Sequence, residues 1–248
     1  MKKGFTLAEV LIALAVIGVV AALTMPALLR DHQKKVFVAQ LQRMVNLISN
    51  SATELKSDEN VETLEETYLV PVRTTDEEGN KTWDYKNAQG KFLNKYFKVA
   101  RDCGTTNRKE CLGEEYFSLD RTTSVEVDKF IPNYYYCVIT NIGSTICMDS
   151  MSSYSHYDND DRHGYSYVIV DINGPAGPNI NGRDLFQFEL YSDGKIGNSH
   201  ESHSDNEAAN QDIQDKISGK TCQDYKSIAG YGGNCFQHIM ANGWVMDY

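Results

Sequence analysis

The chain opens on an apolar run and then changes character. Residues 10–29 are twenty positions without a charge, long enough for a helix to cross the roughly 30 Å hydrocarbon layer of a bilayer. No second run of that kind follows, so the pattern predicts at most one membrane passage, with a large polar remainder on one side. Beyond Pro26 the apolar positions fall at Phe37, Leu41, Met44, Val45, Ile48, Ala52 and Leu55. Steps of three and four put them on one face of an amphipathic helix. Arg30, Lys34, Lys35, Gln40, Gln42 and Arg43 fill the other face, with the bases gathered just past the apolar run. The plain reading of those bases is a solvated face touching anionic lipid. One helix over about 6–55 is expected, roughly 75 Å long at 1.5 Å per residue, with a kink or local opening at Pro26.

Residues 56–133 carry little periodicity. Charge-rich pieces alternate with short apolar ones, which predicts irregular structure with one or two short helices, one of them near 88–97. Strand character begins afterwards. Residues 134–140 and 144–148 are rich in aromatic and β-branched side chains and flank Asn141-Ile142-Gly143. That is a three-residue hairpin loop with Gly where a left-handed backbone is needed. Residues 165–171 and 184–191 make a second strand pair across a long loop, and 235–244 reads as a short helix capped by Gly243 with Trp244 folded back. The expected fold class is α+β: a long N-terminal helix packed on an antiparallel sheet.

Composition narrows the choice. A chain that is 41% hydrophobic and 23% charged is neither disordered nor collagen-like. Its 34 acids against 24 bases give a formal charge of −10, so nucleic acid is not an expected partner. Fifteen Tyr against two Trp suit half-buried sheets and contact surfaces. The six cysteines, Cys103, Cys111, Cys137, Cys147, Cys222 and Cys235, all follow the apolar run. Six allow fifteen pairings, and the spacing favours neighbours. If Thr140 faces Ser144 in the hairpin, then Cys137 faces Cys147; of the three ways to pair the other four, neighbour spacing favours Cys103 with Cys111 and Cys222 with Cys235. No C-x₂-C spacing supports zinc. Disulfides imply an oxidising, extracytoplasmic compartment.

The extreme N-terminus is the most specific signal. Lys2 and Lys3 ahead of an apolar run suit a secretory signal, but Glu9 lies at the start of that run, where a charge is costly and usually functional. Lys2-Lys3-Gly4-Phe5-Thr6-Leu7-Ala8-Glu9-Val10-Leu11-Ile12 resembles the class III leader of type IV pilins and type II secretion pseudopilins, and Pro26 falls where that family commonly has a proline. The resemblance implies cleavage between Gly4 and Phe5 by a membrane-embedded prepilin peptidase, N-methylation of Phe5, and filament assembly through Glu9. Loss of Lys2 and Lys3 would leave 22 bases against 34 acids.

On that resemblance the chain divides into a leader (1–4), a transmembrane assembly helix (5–29), its amphipathic continuation (30–55) and a disulfide-bonded head (56–248). The implied role is structural: a subunit of a membrane-rooted pilus or pseudopilus. Its partners would be further copies of itself, sibling subunits, the inner-membrane assembly platform and the peptidase. It would lie in the inner membrane before assembly, with the head outside the cytoplasm and the filament in the periplasm or at the cell surface. A minor or adhesive pilin is the alternative within the class, and a membrane-tethered binding module the alternative outside it.

The head offers one candidate ligand site. The loop 171–184 has three Gly, two Pro and several short oxygen-bearing side chains. It resembles a segment of pilin-like heads, some of which bind calcium near the sheet end. Asp171 and Asp184 would give carboxylate oxygens and Asn173 and Asn179 amide oxygens to Ca²⁺; without the ion the loop is a rigid turn. The His-bearing stretches 156–163 and 200–205 read as solvated loops. No phosphate loop, G-x-S-x-G elbow or HExxH helix is present, and no enzymatic activity is expected.

Overall fold

The computed structural model describes residues 6–75, 78–79, 81–84, 88–151, 164–197, 222 and 235–248. Helix α1 (Leu7–Glu59) runs for 53 residues, about 80 Å at 1.5 Å per residue. Thr6 caps its N-terminus, and Asn60 ends it in a left-handed conformation with φ 54°. Pro26 lies inside the helix, which is α-helical on both sides of it. Proline removes one N–H and leaves the flanking turns able to continue, a loss tolerated in apolar spans. Just before it, Thr24 Oγ1 donates to the Val20 carbonyl at 2.9 Å.

The head is built on a six-stranded antiparallel sheet. Its strands are β3 (Val99–Gly104), β6 (Tyr136–Thr140), β7 (Thr145–Met148), β8 (Tyr165–Asp171), β9 (Leu185–Tyr191) and β10 (Ile196–Gly197), in the order β10-β9-β8-β7-β6-β3. Two small hairpins stand apart from it, β1 (Val72–Thr75) with β2 (Lys81–Asp84) and β4 (Glu115–Phe117) with β5 (Ser124–Glu126). The expectation that 56–133 lacks strands is therefore corrected: β1 to β5 all fall there. They are short, and β3 pairs through register irregularities at both ends, so no alternation marks them. Helix α2 (Ala88–Tyr96) occupies the predicted place, and α3 (Val127–Phe130) and α4 (Cys235–Ala241) are single turns or little more.

The β6–β7 hairpin has the register read from its loop. Cys137 faces Cys147 and Val138 faces Ile146, while Gly143 takes φ 86°, a conformation glycine adopts without steric cost. Each face of the sheet has its own core. Val138, Ile146, Val168, Val170, Phe186, Phe188 and Leu190 join Leu41, Met44, Ile48, Ala52 and Leu55 of α1 in the larger one. Cys137, Cys147, Ile169 and Leu185 join Tyr116, Val127, Ile131 and Tyr135 in a smaller one on the other side.

Polar contacts fix α1 to the sheet beyond this packing. Ser49 Oγ donates to the Gly194 carbonyl at 2.9 Å, and Lys56 Nζ to the Asp193 carbonyl at 2.5 Å, so the β9–β10 turn is tied to the upper helix. Asp58 accepts from Lys95 at 2.6 Å and from Tyr96 at 2.8 Å, tying α2 to the same helix.

Candidate functional site

The first turn of α1 is closed by its own side chains. Thr6 donates from both its backbone N–H and its hydroxyl to Glu9 Oε2 at 2.8 Å, and the Glu9 N–H donates to Thr6 Oγ1 at 3.3 Å. This reciprocal capping box satisfies donors that a helix start otherwise leaves unpaired. The signal for Thr6 lies in the pattern Thr6-Leu7-Ala8-Glu9, a capping-box signature that the leader motif does not single out. Gly4 and Phe5 lie outside the described residues.

Along the lower half of α1 the apolar side chains have nothing to pack on. Leu7, Leu23 and Leu28 are among the exposed large hydrophobics, with Leu7 81% exposed. The helix is long and apolar enough to cross a membrane by length and composition. The geometry is thus a bare apolar helix, capped by a carboxylate at its tip and joined without a break to a head. The model of the family described as prokaryotic N-terminal methylation motif matches residues 1–25. The chain carries a class III prepilin leader. With the long apolar helix and the antiparallel sheet behind it, the layout is α+β and pilin-like, and the leader and helix fit an inner-membrane anchor. No curated protein and no solved structure matches the chain.

Behind this leader, all six cysteines are paired. Cys103 is bonded to Cys111, Cys137 to Cys147 and Cys222 to Cys235. The first two lie in the smaller core, where Thr145 Oγ1 also donates to the Cys111 carbonyl. The third anchors α4 to the larger core.

The 171–184 loop is organised by its two carboxylates. Asp171 is fully buried and accepts from the Tyr116 hydroxyl and, at 3.2 Å, from the Asn173 N–H. Asp184 is also fully buried and accepts from the backbone N–H groups of Asn179 at 2.8 Å and Ile180 at 2.6 Å. Burial raises both carboxyls above their ordinary range, Asp171 well above it, and hydrogen bonds oppose the rise. The Asp184 charge also raises Asp171. Asn173 Nδ2 donates to the Ala176 and Gly177 carbonyls. The side-chain oxygens of Asn173 and Asn179 are buried with no hydrogen-bond partner.

These four residues therefore share one loop with two different chemistries. The carboxylates have donors, as a rigid turn requires, while the two amide oxygens have none, as a cation ligand would. Among the described residues, no group of three or more His, Cys, Asp or Glu is placed to hold a metal ion. The His-bearing stretches 156–163 and 200–205 lie outside the described residues.

Two ionisable groups in the head, one buried and one partly buried, had no sequence signal. Arg108 is 8% exposed and donates to the Ile131 and Pro132 carbonyls, with Asp128 3.6 Å away. Asp149 accepts from the Tyr167 N–H at 2.7 Å and the Ser166 hydroxyl at 3.1 Å. Its burial pushes the carboxyl up to about 7, and the nearby Glu189 adds to the rise. Neither lies in a spaced motif, because sequence-distant backbone brings their partners to them.

Proposed function

We propose that this chain is a structural subunit of a membrane-rooted pilus or pseudopilus. In this reading prepilin peptidase cuts between Gly4 and Phe5, the Phe5 amine is methylated, and the bare half of α1 packs against other subunits. The carrying observation is a methylation motif followed by an apolar helix whose lower half has no protein cover. Lateral packing of such helices, with the sheet heads outside, gives that surface a protein environment. The chain acts as the peptidase's substrate, and its own role is mechanical.

Glu9 is central to this reading. A carboxylate in an apolar layer needs a cation or a set of donors. Within one subunit the Thr6 cap supplies donors. In a filament, the Phe5 amine freed by cleavage supplies a cation on a neighbouring chain, and only one axial offset pairs every Glu9 with an amine. The pair sets register. Intact-mass measurement of membrane-extracted protein is expected to show loss of residues 1–4 and one added methyl; retention of Met1 in filament material overturns the proposal. Glu9→Ala is expected to abolish filaments while the head melts as in the wild type, and normal filaments would remove the register role.

A further inference from the structure

The 171–184 loop and the C-terminal tail meet α1 at one level, immediately above its apolar run. Arg183 Nη2 donates to Gln33 Oε1 at 3.2 Å, and the Tyr248 hydroxyl donates to the Gly182 carbonyl at 2.5 Å. Gly182 fits there because it has φ +83° and no side chain: a Cβ would stand 2.5 Å from Cys235 Sγ. Lys34 adds a favourable charge to Asp247 of the tail. Gln33 is four residues past Leu29, about 6 Å along the helix axis. A headgroup layer is roughly 5–7 Å deep on each side of the hydrocarbon. In the membrane-anchored reading, the lower rim of the head falls at the level of lipid phosphates.

We propose that this rim, Arg30, Lys34 and Lys35 of α1 with Arg183 of the loop, is a docking surface for anionic phospholipid headgroups in the unassembled subunit. The proposal rests on the membrane-anchored reading given above. Charge complementarity selects the occupant. The whole chain carries −10, so an anionic bilayer repels most of the head and attracts this rim, which fixes the head's tilt as well as its contact. Asp31 is the one acid among residues 30–35. Arg183 is partly buried, with its Nε buried and its charge facing Asp184 of the same loop, so its exposed guanidinium edge is what a headgroup would meet. Of the acids near the rim, Asp184 is buried, and Asp247 of the tail is bound by His238 at 2.7 Å and Asn242 at 3.0 Å. The tail adds interfacial character: Val245 is 51% exposed, and Trp244 beside it is a residue type enriched at membrane–water boundaries.

The test uses the full chain in vesicles, with Trp83→Phe so that Trp244 is the one tryptophan of the two. Quenching by a nitroxide carried on the lipid headgroup reports contact. Vesicles with a third phosphatidylglycerol are expected to give at least about twofold more quenching than pure phosphatidylcholine, since anionic lipid attracts juxtamembrane bases. Half-molar salt should remove the difference by screening. Arg183→Gln should reduce it, and so should the pair Lys34→Gln/Lys35→Gln, of which Lys35 is exposed and Lys34 partly so, and which leaves the Arg183 contact intact.

Equal quenching in both lipids, whether strong or weak, overturns the proposal. An alkaline carbonate wash separates the two readings. Release of the chain from vesicles would sink the membrane anchor itself. Retention with composition-independent quenching would sink the headgroup surface alone.

Discussion

Ile12 and Ile48 lie on the same helix, yet the first is 65% exposed and the second 1%. The lower half of α1 is the more apolar, and it is the half left bare. Hydrophobicity alone therefore does not decide what a folded head covers. The upper half alternates apolar and polar residues at helical spacing, so it shows one stripe to the sheet and a solvated face to water. The lower half is apolar all round, which suits a bilayer or a ring of like helices and no single sheet face. Thr6 and Glu9 fit the same contrast, since they satisfy one another at a helix tip that no part of the sheet reaches.

The sharpest way to break the comparison is to make the same change in both halves. Ile48→Ala removes buried methylenes and leaves a cavity, at a cost of about 2–5 kcal/mol. In a folded unit of this size that lowers the melting temperature by roughly 5–15 °C. Ile12→Ala removes exposed surface and is expected to leave the melting of the head unchanged, within about 0.5 kcal/mol. Melting of the detergent-solubilised chain, followed by near-ultraviolet dichroism, decides it. Equal losses at the two sites would mean that the lower half is packed after all.

The second expected effect concerns the smaller core. Cys137→Ala with Cys147→Ala opens a loop of sequence separation 10 and is expected to cost on the order of 3 kcal/mol. The loss belongs to the head alone, so far-ultraviolet helicity of α1 in the bilayer should persist while the head melts earlier. An unchanged melting temperature would show that the β-ladder already fixes this hairpin in the unfolded ensemble.

The legibility of the fold follows the same contrast between regular and irregular patterning. The α1 stripe was readable because Leu41, Met44, Ile48 and Leu55 repeat at helical spacing, and the β6–β7 register because a three-residue loop fixes which residues face. The strands β8 and β9 announced themselves as stretches dominated by Val, Ile, Leu, Phe and Tyr. By contrast, Val-Ala-Arg-Asp-Cys-Gly of β3 carries two charges and a glycine on a sheet edge, where one side needs no partner, and β4 has three residues. Their pairing is set by neighbours, not by their own sequence. At the candidate site, Glu9 was legible as a misplaced charge and Thr6 was readable as its cap. Tyr116 was not, because its hydroxyl meets Asp171 across 55 residues of chain.

The third effect is a pH slope confined to the head. Burial raises Asp149 from 3.8 to about 7, so the native state holds a proton that the unfolded chain has released. Stability from this group is complete below about pH 4 and falls as the pH rises toward 7. Three units would correspond to about 4 kcal/mol, and partial exposure of the residue reduces the expected loss to about 1–2 kcal/mol. Asp149→Asn keeps both donors occupied and should flatten that part of the curve, leaving the slope due to Asp171 and Asp184, which runs the same way. An identical slope in the variant would assign the whole effect to the other two.

The smallest effect concerns calcium at the junction of the two halves. Arg183 of the 171–184 loop touches Gln33, so stiffening that loop stiffens the place where the bare helix enters the head. Asn173 and Asn179 keep buried, unpartnered amide oxygens there, and Asp171 and Asp184 hold raised carboxyls whose charges are mutually unfavourable. A hard cation would give the two amide oxygens a partner and the two carboxyls an opposite charge. At tenfold excess over its Kd, calcium would add about 1.4 kcal/mol, or roughly 3–6 °C in melting. Protons compete for the same carboxylates, so the gain should be larger at pH 7.5 than at pH 5. Asn179→Ala should reduce it while keeping both carboxylates. Melting that is indifferent to millimolar calcium at both pH values would identify the loop as a turn held by Asp171 and Asp184 alone, with the junction rigid through hydrogen bonds and not through an ion.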